Sequence, residues 1–361
     1  MLKRKLVIAL TALGLCVGAG EVAAKKVLLK VPVFFGTHLE GLGSTPKWLA
    51  EHLNVASGGT VKMKIYEPGK LIPPKGILQA VAKGKVNAGY TTPAYNTGVL
   101  GDKGSLFSSV PFGPDAPEML AWLYYGDGLK LWREMYAKKG INVHAIPCGL
   151  TAPETSGWFS RAIDKPEDLE GLRMRFFGLG ALVMEKLGVS TSLLPSKEIF
   201  PALEKGAIDA TEFSMPAIDK RLGFHKILKF NYYPGWHQPA SVYELVINSK
   251  TWKSMDKQQQ GIVELSCKAA MLDALALGEA IQFPHMKSNV EKHGVENRYW
   301  SKELLDLFQS KWNEVVVEQS AEDPEFKKIW DNLAAFRADY AIWNEWAFLP
   351  RPGTVRIEKT E

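Results

Sequence analysis

A twelve-residue unit that occurs twice constrains the fold of this chain more than any other feature of its sequence. Residues 77–88 and 199–210 align without a gap, and five of the twelve residues are identical. Each copy has the pattern of a short helix, a glycine (Gly84 or Gly206) and a strand, and a glycine after a helix lets the chain turn through the left-handed conformation. Such units are common, so a chance match is the alternative. We interpret the repeat as two structurally equivalent units and predict two lobes.

Strand and helix patterns alternate around the first copy of the repeat. Residues 27–35 and 60–66 are rich in β-forming residues, and residues 45–53 between them have a helical pattern. This order is typical of an α/β fold with a mostly parallel sheet. Ligands of such folds bind beyond the carboxyl ends of the strands. The loops after the two repeated strands, residues 90–95 and 212–216, are therefore expected to face one cleft.

The last third of the chain differs from the rest because long helical patterns dominate it. Long helices are predicted over residues 258–279, 302–317 and 326–346. Apolar residues that recur at helical spacing normally pack onto the rest of the protein. In the first of these helices they are Ile262, Leu265, Ala269 and Leu272. We predict that this face packs onto the sheets.

The N-terminus has the three-part pattern of a secretory signal peptide. Cations at residues 3–5 precede an uncharged apolar stretch over 6–20, and small residues follow where a signal peptidase would cut. A membrane anchor is the alternative, but the stretch is shorter than the about 20 residues of a spanning helix. Lipid attachment at Cys16 is a further alternative, although Leu15 is larger than the residue that normally precedes a lipidated cysteine. We predict that residues 1–24 are a signal peptide and that the mature chain is periplasmic.

The charge of the chain does not indicate a nucleic-acid partner. The formal net charge is +5, and three of the cations lie in the predicted signal peptide. Lys62, Lys64, Lys83 and Lys85 are interleaved with apolar residues, which is typical of solvated faces rather than of a phosphate-binding stripe.

Two cysteines, Cys148 and Cys267, remain in the mature chain. An exported compartment permits a disulfide, but two cysteines so far apart in sequence give no framework pattern. A disulfide and a pair of buried thiols both remain open.

The sequence lacks the short motifs that mark common catalytic sites. There is no Gly-x-Ser-x-Gly motif and no Walker loop, and Gly178-Leu179-Gly180 lacks the third glycine of a dinucleotide-binding loop. His225 and His237 are the only histidines near the predicted cleft, and such histidines are more often structural than catalytic. These observations favour a binding protein over an enzyme, with an exported hydrolase as the alternative.

One strand pattern places two arginines on the same side. Within residues 171–178, apolar residues alternate with Arg173, Arg175 and Phe177. An arginine can bind a carboxylate through two parallel hydrogen bonds. Either arginine is thus a candidate carboxylate ligand, and the alternative is that both are solvated or paired on the surface.

Several segments together resemble the solute-binding subunit of tripartite ATP-independent periplasmic (TRAP) transporters, over nearly all of the mature chain. They are residues 157–159, 168–175, 203–212, 222–224 and 233–236. The resemblance implies an α/β, two-lobed periplasmic binding protein (type II-like) with a hinge and long C-terminal helices.

The resemblance also implies how the chain is divided. Residues 25–147 are expected to form lobe 1 and residues 148–239 lobe 2. Residues 240–361 are expected to form a return strand, a long hinge helix and C-terminal helices that pack on both lobes.

Within that family, the chain resembles the subgroup that binds 2-oxo or 2-hydroxy acids together with a metal ion. Arg175 matches the residue that holds the substrate carboxylate, and Arg173 matches its outward-facing neighbour. Tyr95 and the ring of Phe213 are expected to exclude water from the substrate. Glu154 stands where the subgroup has a glutamine that contacts both substrate and metal.

The resemblance implies a metal site beside the arginine. Glu212 matches the acidic metal ligand, Phe213 the residue that offers its backbone carbonyl, and Gln238 the polar residue that completes the set. Because Glu154 adds a negative charge beside Glu212, a divalent ion is expected, and hard oxygen ligands favour calcium, with sodium as the alternative. Leu150 stands where the subgroup tends to carry an asparagine, so the polar end of the substrate is expected to be held differently.

These features predict a receptor that captures a small organic acid, such as pyruvate or lactate, as a metal complex and delivers it to a TRAP membrane permease. The alternatives are a metal-independent receptor for an aromatic or sugar acid, and an exported hydrolase. Some relatives form dimers through a long C-terminal helix. The helix over 326–346 could serve the same purpose in a homodimer, and packing within one chain explains it equally well.

Overall fold

A computed structural model describes residues 25–348 of the chain. The predicted signal peptide, residues 1–24, lies outside the described residues. No helix within residues 25–348 is long and apolar enough to cross a membrane.

The N-terminal part alternates strands and helices. Its elements are β1 (Val27–Pro32), α1 (Thr45–Ala56), β2 (Val61–Tyr66), α2 (Ile77–Ala82), β3 (Ala88–Thr91), α3 (Thr97–Leu100), α4 (Ala116–Tyr125), α5 (Gly128–Lys138) and β4 (Val143–Thr151). β1 and β2 pair in parallel, and a bridge joins Val33 to Tyr90 of β3. Within β1, Leu29 and Val31 are buried whereas Leu28 is exposed, because successive side chains of a strand point to opposite faces.

The second sheet is built from the middle of the chain. Its elements are β5 (Gly157–Phe159), β6 (Arg173–Arg175), α6 (Leu179–Glu185), β7 (Ser190–Ser192), α7 (Ser196–Glu204), β8 (Ala210–Thr211), α8 (Pro216–Leu222) and β9 (Phe230–Tyr233). The strand order is β9-β5-β8-β6-β7. β6 is parallel to both β7 and β8, whereas β5 is antiparallel to both β8 and β9. The carboxyl ends of β6 and β8 therefore lie at the same edge of the sheet.

The C-terminal part returns to both sheets. Its elements are β10 (Ser241–Asn248), α9 (Ser249–Ser254), α10 (Lys257–Ala280), α11 (Gln282–His293), β11 (Glu296–Tyr299), α12 (Lys302–Glu322) and α13 (Pro324–Ala347). β10 runs antiparallel between β3 and β4. We call these three strands, together with the β1–β2 pair that the Val33–Tyr90 bridge joins to β3, the first sheet. β11 adds to the second sheet beside β9. α12 packs on α6, and α13 packs on α4 and α5. The last two helices therefore contact both the N-terminal part of the chain and the part that carries the second sheet.

The two copies of the repeat form the same local structure in different sheets. The first comprises α2, Gly84 and β3, and the second comprises α7, Gly206 and β8. Gly84 has φ +71° and Gly206 has φ +65°, a region that side chains disfavour and glycine adopts freely. The predicted helix–glycine–strand pattern is confirmed at both sites.

The predicted packing face of α10 is wrong. Leu265 is 62% exposed and Leu272 is 70% exposed. The buried face consists mainly of small and sulfur-containing residues, namely Val263, Ser266, Cys267, Ala270, Met271, Ala274 and Gly278. Small side chains allow this helix to lie close against β4, so the larger leucines are left on the outer side.

A disulfide bond joins Cys148 of β4 to Cys267 of α10. Both cysteines are fully buried. The sequence left open whether these cysteines are bonded or free thiols, and the structure shows the bond. The disulfide links α10 covalently to β4.

Candidate metal and carboxylate site

The site forms where four chain segments meet at one edge of the second sheet. Arg175 is the last residue of β6, and Glu212 directly follows β8. Because these two strands are parallel neighbours, both side chains emerge at the same edge. Glu154 comes from the segment after β4, and Gln238 comes from the segment before β10.

Arg175 and Glu212 form a fully buried ion pair. Arg175 Nη1 lies 2.8 Å from Glu212 Oε2, and the side chains are 1% and 0% exposed. Arg175 also donates to the backbone carbonyl of Glu212, and the Phe177 N–H donates to Glu212 Oε2 at 3.2 Å. Burial alone would raise the pKa of Glu212, but the charge of Arg175 and the Phe177 N–H hold that pKa below its ordinary value. Arg175 Nε has no hydrogen-bond partner among the described residues, so one edge of the guanidinium is available to a ligand.

Glu154 is a second buried carboxyl group beside this pair. It is 4% exposed, and Ser214 Oγ donates to its Oε1 at 3.3 Å. Burial, followed by the negative charge of Glu212, raises the pKa of Glu154 well above its ordinary value. Of the two neighbouring carboxyl groups, Glu154 therefore holds its proton more firmly than Glu212.

The amide of Gln238 is surrounded by acceptor atoms. One of its terminal atoms lies 3.1 Å from Glu154 Oε2, 3.3 Å from Glu212 Oε1 and 3.2 Å from His237 Nε2, while the other lies 2.7 Å from Ser241 Oγ. With its nitrogen directed inward, the amide donates to these atoms. With its oxygen directed inward, that oxygen and the three atoms of Glu154, Glu212 and His237 are four acceptors that face one another. A cation placed among them would satisfy all four. Ser241 is compatible with both orientations because a hydroxyl group both donates and accepts.

The donor set fits a metal ion. Donor atoms of Glu154, Glu212 and His237 lie within 4.8 Å of one another, and all three residues are buried. Two carboxylates, an imidazole and an amide oxygen are all established metal ligands in proteins. The sequence did not single out His237 as a ligand, although it adjoins Gln238.

Aromatic side chains from both halves of the molecule cover the arginine. The ring of Tyr95 stacks between Phe34, at 4.0 Å, and Phe177, at 4.4 Å. The guanidinium of Arg175 lies 5.1 Å from the ring of Phe213, and burial raises the pKa of Tyr95. These rings form an apolar wall beside the charged groups. The sequence missed Phe34 and Phe177 as wall residues because their proximity depends on the packing of distant segments.

The structure brings six of the residues singled out in the sequence into one cluster. They are Tyr95, Glu154, Arg175, Glu212, Phe213 and Gln238. Arg173 lies apart and forms an exposed ion pair with Asp209 at 2.7 Å. Leu150 is buried and contributes to an apolar cavity of about 530 Å³ between α4 and α10.

Comparisons with known proteins identify the family. Residues 40–323 match the family described as bacterial extracellular solute-binding protein, family 7 (DctP). The monocarboxylate 2-oxoacid-binding periplasmic protein of Nostoc sp. is 34% identical over 313 residues, which are 87% of this chain and 84% of that protein.

Two crystal structures share the whole fold. A TRAP transporter solute-binding protein from Bordetella bronchiseptica, a dimer with copurified calcium and picolinate, has a TM-score of 0.85 at 28% identity and covers 90% of this chain and 95% of its own. A TRAP periplasmic solute-binding protein from Pseudoalteromonas atlantica, with bound sodium and pyruvate, has a TM-score of 0.84 at 30% identity. The match covers 90% of this chain and 97% of that protein. The predicted two-lobed α/β fold with long C-terminal helices is confirmed.

The family match spans most of the chain, and the fold agrees with it over the same length. Membership of a solute-binding family also confirms the prediction of a periplasmic binding protein and sets aside the exported hydrolase. The chain belongs to the DctP family, the periplasmic solute-binding proteins of TRAP transporters.

Proposed function

We propose that this chain captures a small 2-oxo or 2-hydroxy monocarboxylate, such as pyruvate or lactate, together with a metal ion. The observation that carries the proposal is the buried Arg175 beside a set of converging metal donors. The 2-oxoacid-binding protein of Nostoc and the pyruvate-bound protein of Pseudoalteromonas support the choice of substrate class.

Arg175 is the proposed ligand of the substrate carboxylate. Glu212 and its backbone carbonyl hold one end of the guanidinium, whereas Nε has no partner among the described residues. A carboxylate placed against that free edge would accept parallel hydrogen bonds in a fixed orientation. Burying the negative charge would otherwise be costly, so the arginine supplies both affinity and orientation.

The proposed metal is a divalent cation, calcium rather than sodium. Arg175 and two ionised carboxylates, Glu154 and Glu212, sum to one negative charge, and a divalent ion converts this to one positive charge. A monocarboxylate then leaves the buried site neutral. The proposed oxygen donors are Glu154, Glu212, Gln238 and the backbone carbonyl of Phe213. A bound cation would also hold the 2-oxo or 2-hydroxy oxygen of the acid, whose carboxylate binds Arg175.

The aromatic wall is proposed to close the site against water. Tyr95 and Phe34 come from the N-terminal part of the chain, and Phe177 and Phe213 come from the segments that follow β6 and β8 of the second sheet. Rings from both sides would meet over a bound acid as the lobes close about a hinge. The lobe boundaries at 147/148 and 239/240 stay predictions. The closed receptor would then dock on a TRAP membrane permease.

An aromatic 2-carboxylate is a second candidate ligand. The stacked rings of Tyr95, Phe34 and Phe177 favour a flat ligand, and the Bordetella protein holds picolinate with calcium. A metal-independent receptor for an aromatic acid would bind such a ligand after exhaustive chelation, whereas the proposed site would not.

We also propose that a second copy of the chain covers the end of α13. Ile342, Trp343 and Trp346 are 67%, 62% and 81% exposed, and the Bordetella relative was crystallised as a dimer. Light scattering should find a dimer that Trp343→Asp converts to a monomer. A wild-type monomer at every concentration would contradict this part of the proposal.

Two arginines on one strand provide a matched test of the carboxylate site. Arg175→Ala should abolish binding of pyruvate in calorimetry with calcium present. Arg173→Ala should bind normally, because Arg173 is half exposed and pairs with Asp209. Full affinity in Arg175→Ala, or an equal loss in both variants, would refute the proposed role.

A further inference from the structure

His237 lies inside the cluster of acceptors rather than beside it. Its side chain is fully buried. The rings of Phe176 and Trp236 pack against it at centroid distances of 4.9 Å and 5.6 Å. This packing fixes the direction of the imidazole, which does not need to reorient to reach an ion.

The contact between His237 and Glu212 is too long for a hydrogen bond. Nε2 lies 3.6 Å from Glu212 Oε1, and a separation of that length does not qualify as a hydrogen bond. The same Nε2 lies 3.2 Å from the inward-facing amide atom of Gln238. The spacing is that of donor atoms arranged around a shared centre rather than of a histidine bonded to a carboxylate.

We infer that His237 Nε2 is a nitrogen donor to the metal, and that the site takes first-row divalent ions such as Co²⁺ and Zn²⁺ in addition to calcium. This inference rests on the proposed metal site. It extends the function from capture of an acid with a hard cation to capture of acids that are chelated to a transition metal.

The donor types determine this wider range of ions. Calcium is bound by oxygen ligands, so His237 contributes little to its affinity. Imidazole is a preferred ligand for zinc, copper, iron and nickel, and affinity for a mixed nitrogen and oxygen site rises along the first-row series. Removal of the imidazole should therefore weaken binding of Co²⁺ and Zn²⁺ selectively.

The test uses the full mature chain, stripped of metal and titrated with CoCl₂ or CaCl₂ alone. In the wild type, bound Co²⁺ should give a visible absorption spectrum that His237→Asn alters. We expect that variant to lose about tenfold or more in Co²⁺ affinity, while its calcium affinity stays within about threefold of the wild type. His225→Asn is the matched control, because His225 is also buried but packs against His293 instead of the cluster.

The outcomes separate this inference from the proposed function. Unchanged Co²⁺ affinity in His237→Asn, or equal losses for both ions, overturns the inference but leaves calcium-dependent pyruvate binding intact. If no ion increases the affinity for pyruvate in the wild type, the proposed function itself fails. If His237→Asn does not fold, the wild type still provides a test. The inference predicts that Zn²⁺ displaces calcium from the wild type, and failure of Zn²⁺ to do so would contradict it.

Discussion

Glu154 should make calcium binding depend on pH. Its donor atom lies within 4.8 Å of that of Glu212, so two negative charges there repel by about 3.5 kcal/mol at an effective dielectric constant of about 20. Burial and this repulsion raise the pKa of Glu154, whereas Glu212 stays ionised. Calcium must therefore displace the proton of Glu154. The affinity for calcium should rise about tenfold per pH unit below the pKa of Glu154.

Calorimetry in two buffers of different ionisation enthalpy counts the proton directly. The wild type should release about one proton for each calcium bound. Glu154→Gln keeps the shape of the side chain and removes the titration, so its calcium affinity should be lower and independent of pH across the neutral range. A wild type that releases no proton, or a variant that retains the same pH dependence, would show that calcium does not displace a proton from Glu154.

Three further perturbations test other parts of the structure. Replacing Cys148 and Cys267 by serine should lower the free energy of unfolding by about 2–5 kcal/mol in urea titrations, and chemical reduction of the wild type should reproduce the loss. Burial raises the pKa of Glu244 to about 8, so the folded state retains its proton more firmly than the unfolded state. The stability that this carboxyl contributes should be lost as pH rises from 4.5 through about 8, and Glu244→Gln should flatten that part of the stability profile. Ser241→Ala removes the hydrogen-bond partner that anchors the outer end of the Gln238 amide. It should weaken calcium binding by about 10–100-fold, whereas the free energy of unfolding should fall by only about 1–3 kcal/mol.

Local chemistry made part of this structure predictable from the sequence. The glycines of the repeat and the strand that carries Arg173 and Arg175 depend on backbone conformation and on residues close in sequence. The resemblance to TRAP receptors predicted Glu212 and Gln238 as metal ligands. They lie far apart along the chain, and the structure brings them together, whereas their role as ligands stays a prediction.

Features that depend on distant packing were not predictable in the same way. Helical periodicity placed Leu265 and Leu272 on the inner face of α10, but the helix instead turns its small residues toward β4. The disulfide requires that approach, so its existence stayed open. The sequence indicated His237 only as a histidine near the cleft, because its distance to Glu154 and Glu212 depends on how the segment before β10 meets β8.

Calorimetric titration of the wild type with pyruvate, before and after exhaustive chelation, tests most directly whether the acid binds together with a metal ion. Binding should disappear when the metal is removed and return when calcium is restored, because the proposed site holds the acid with both Arg175 and a metal ion. Unchanged binding of pyruvate by the chelated protein would contradict the proposed metal-dependent function.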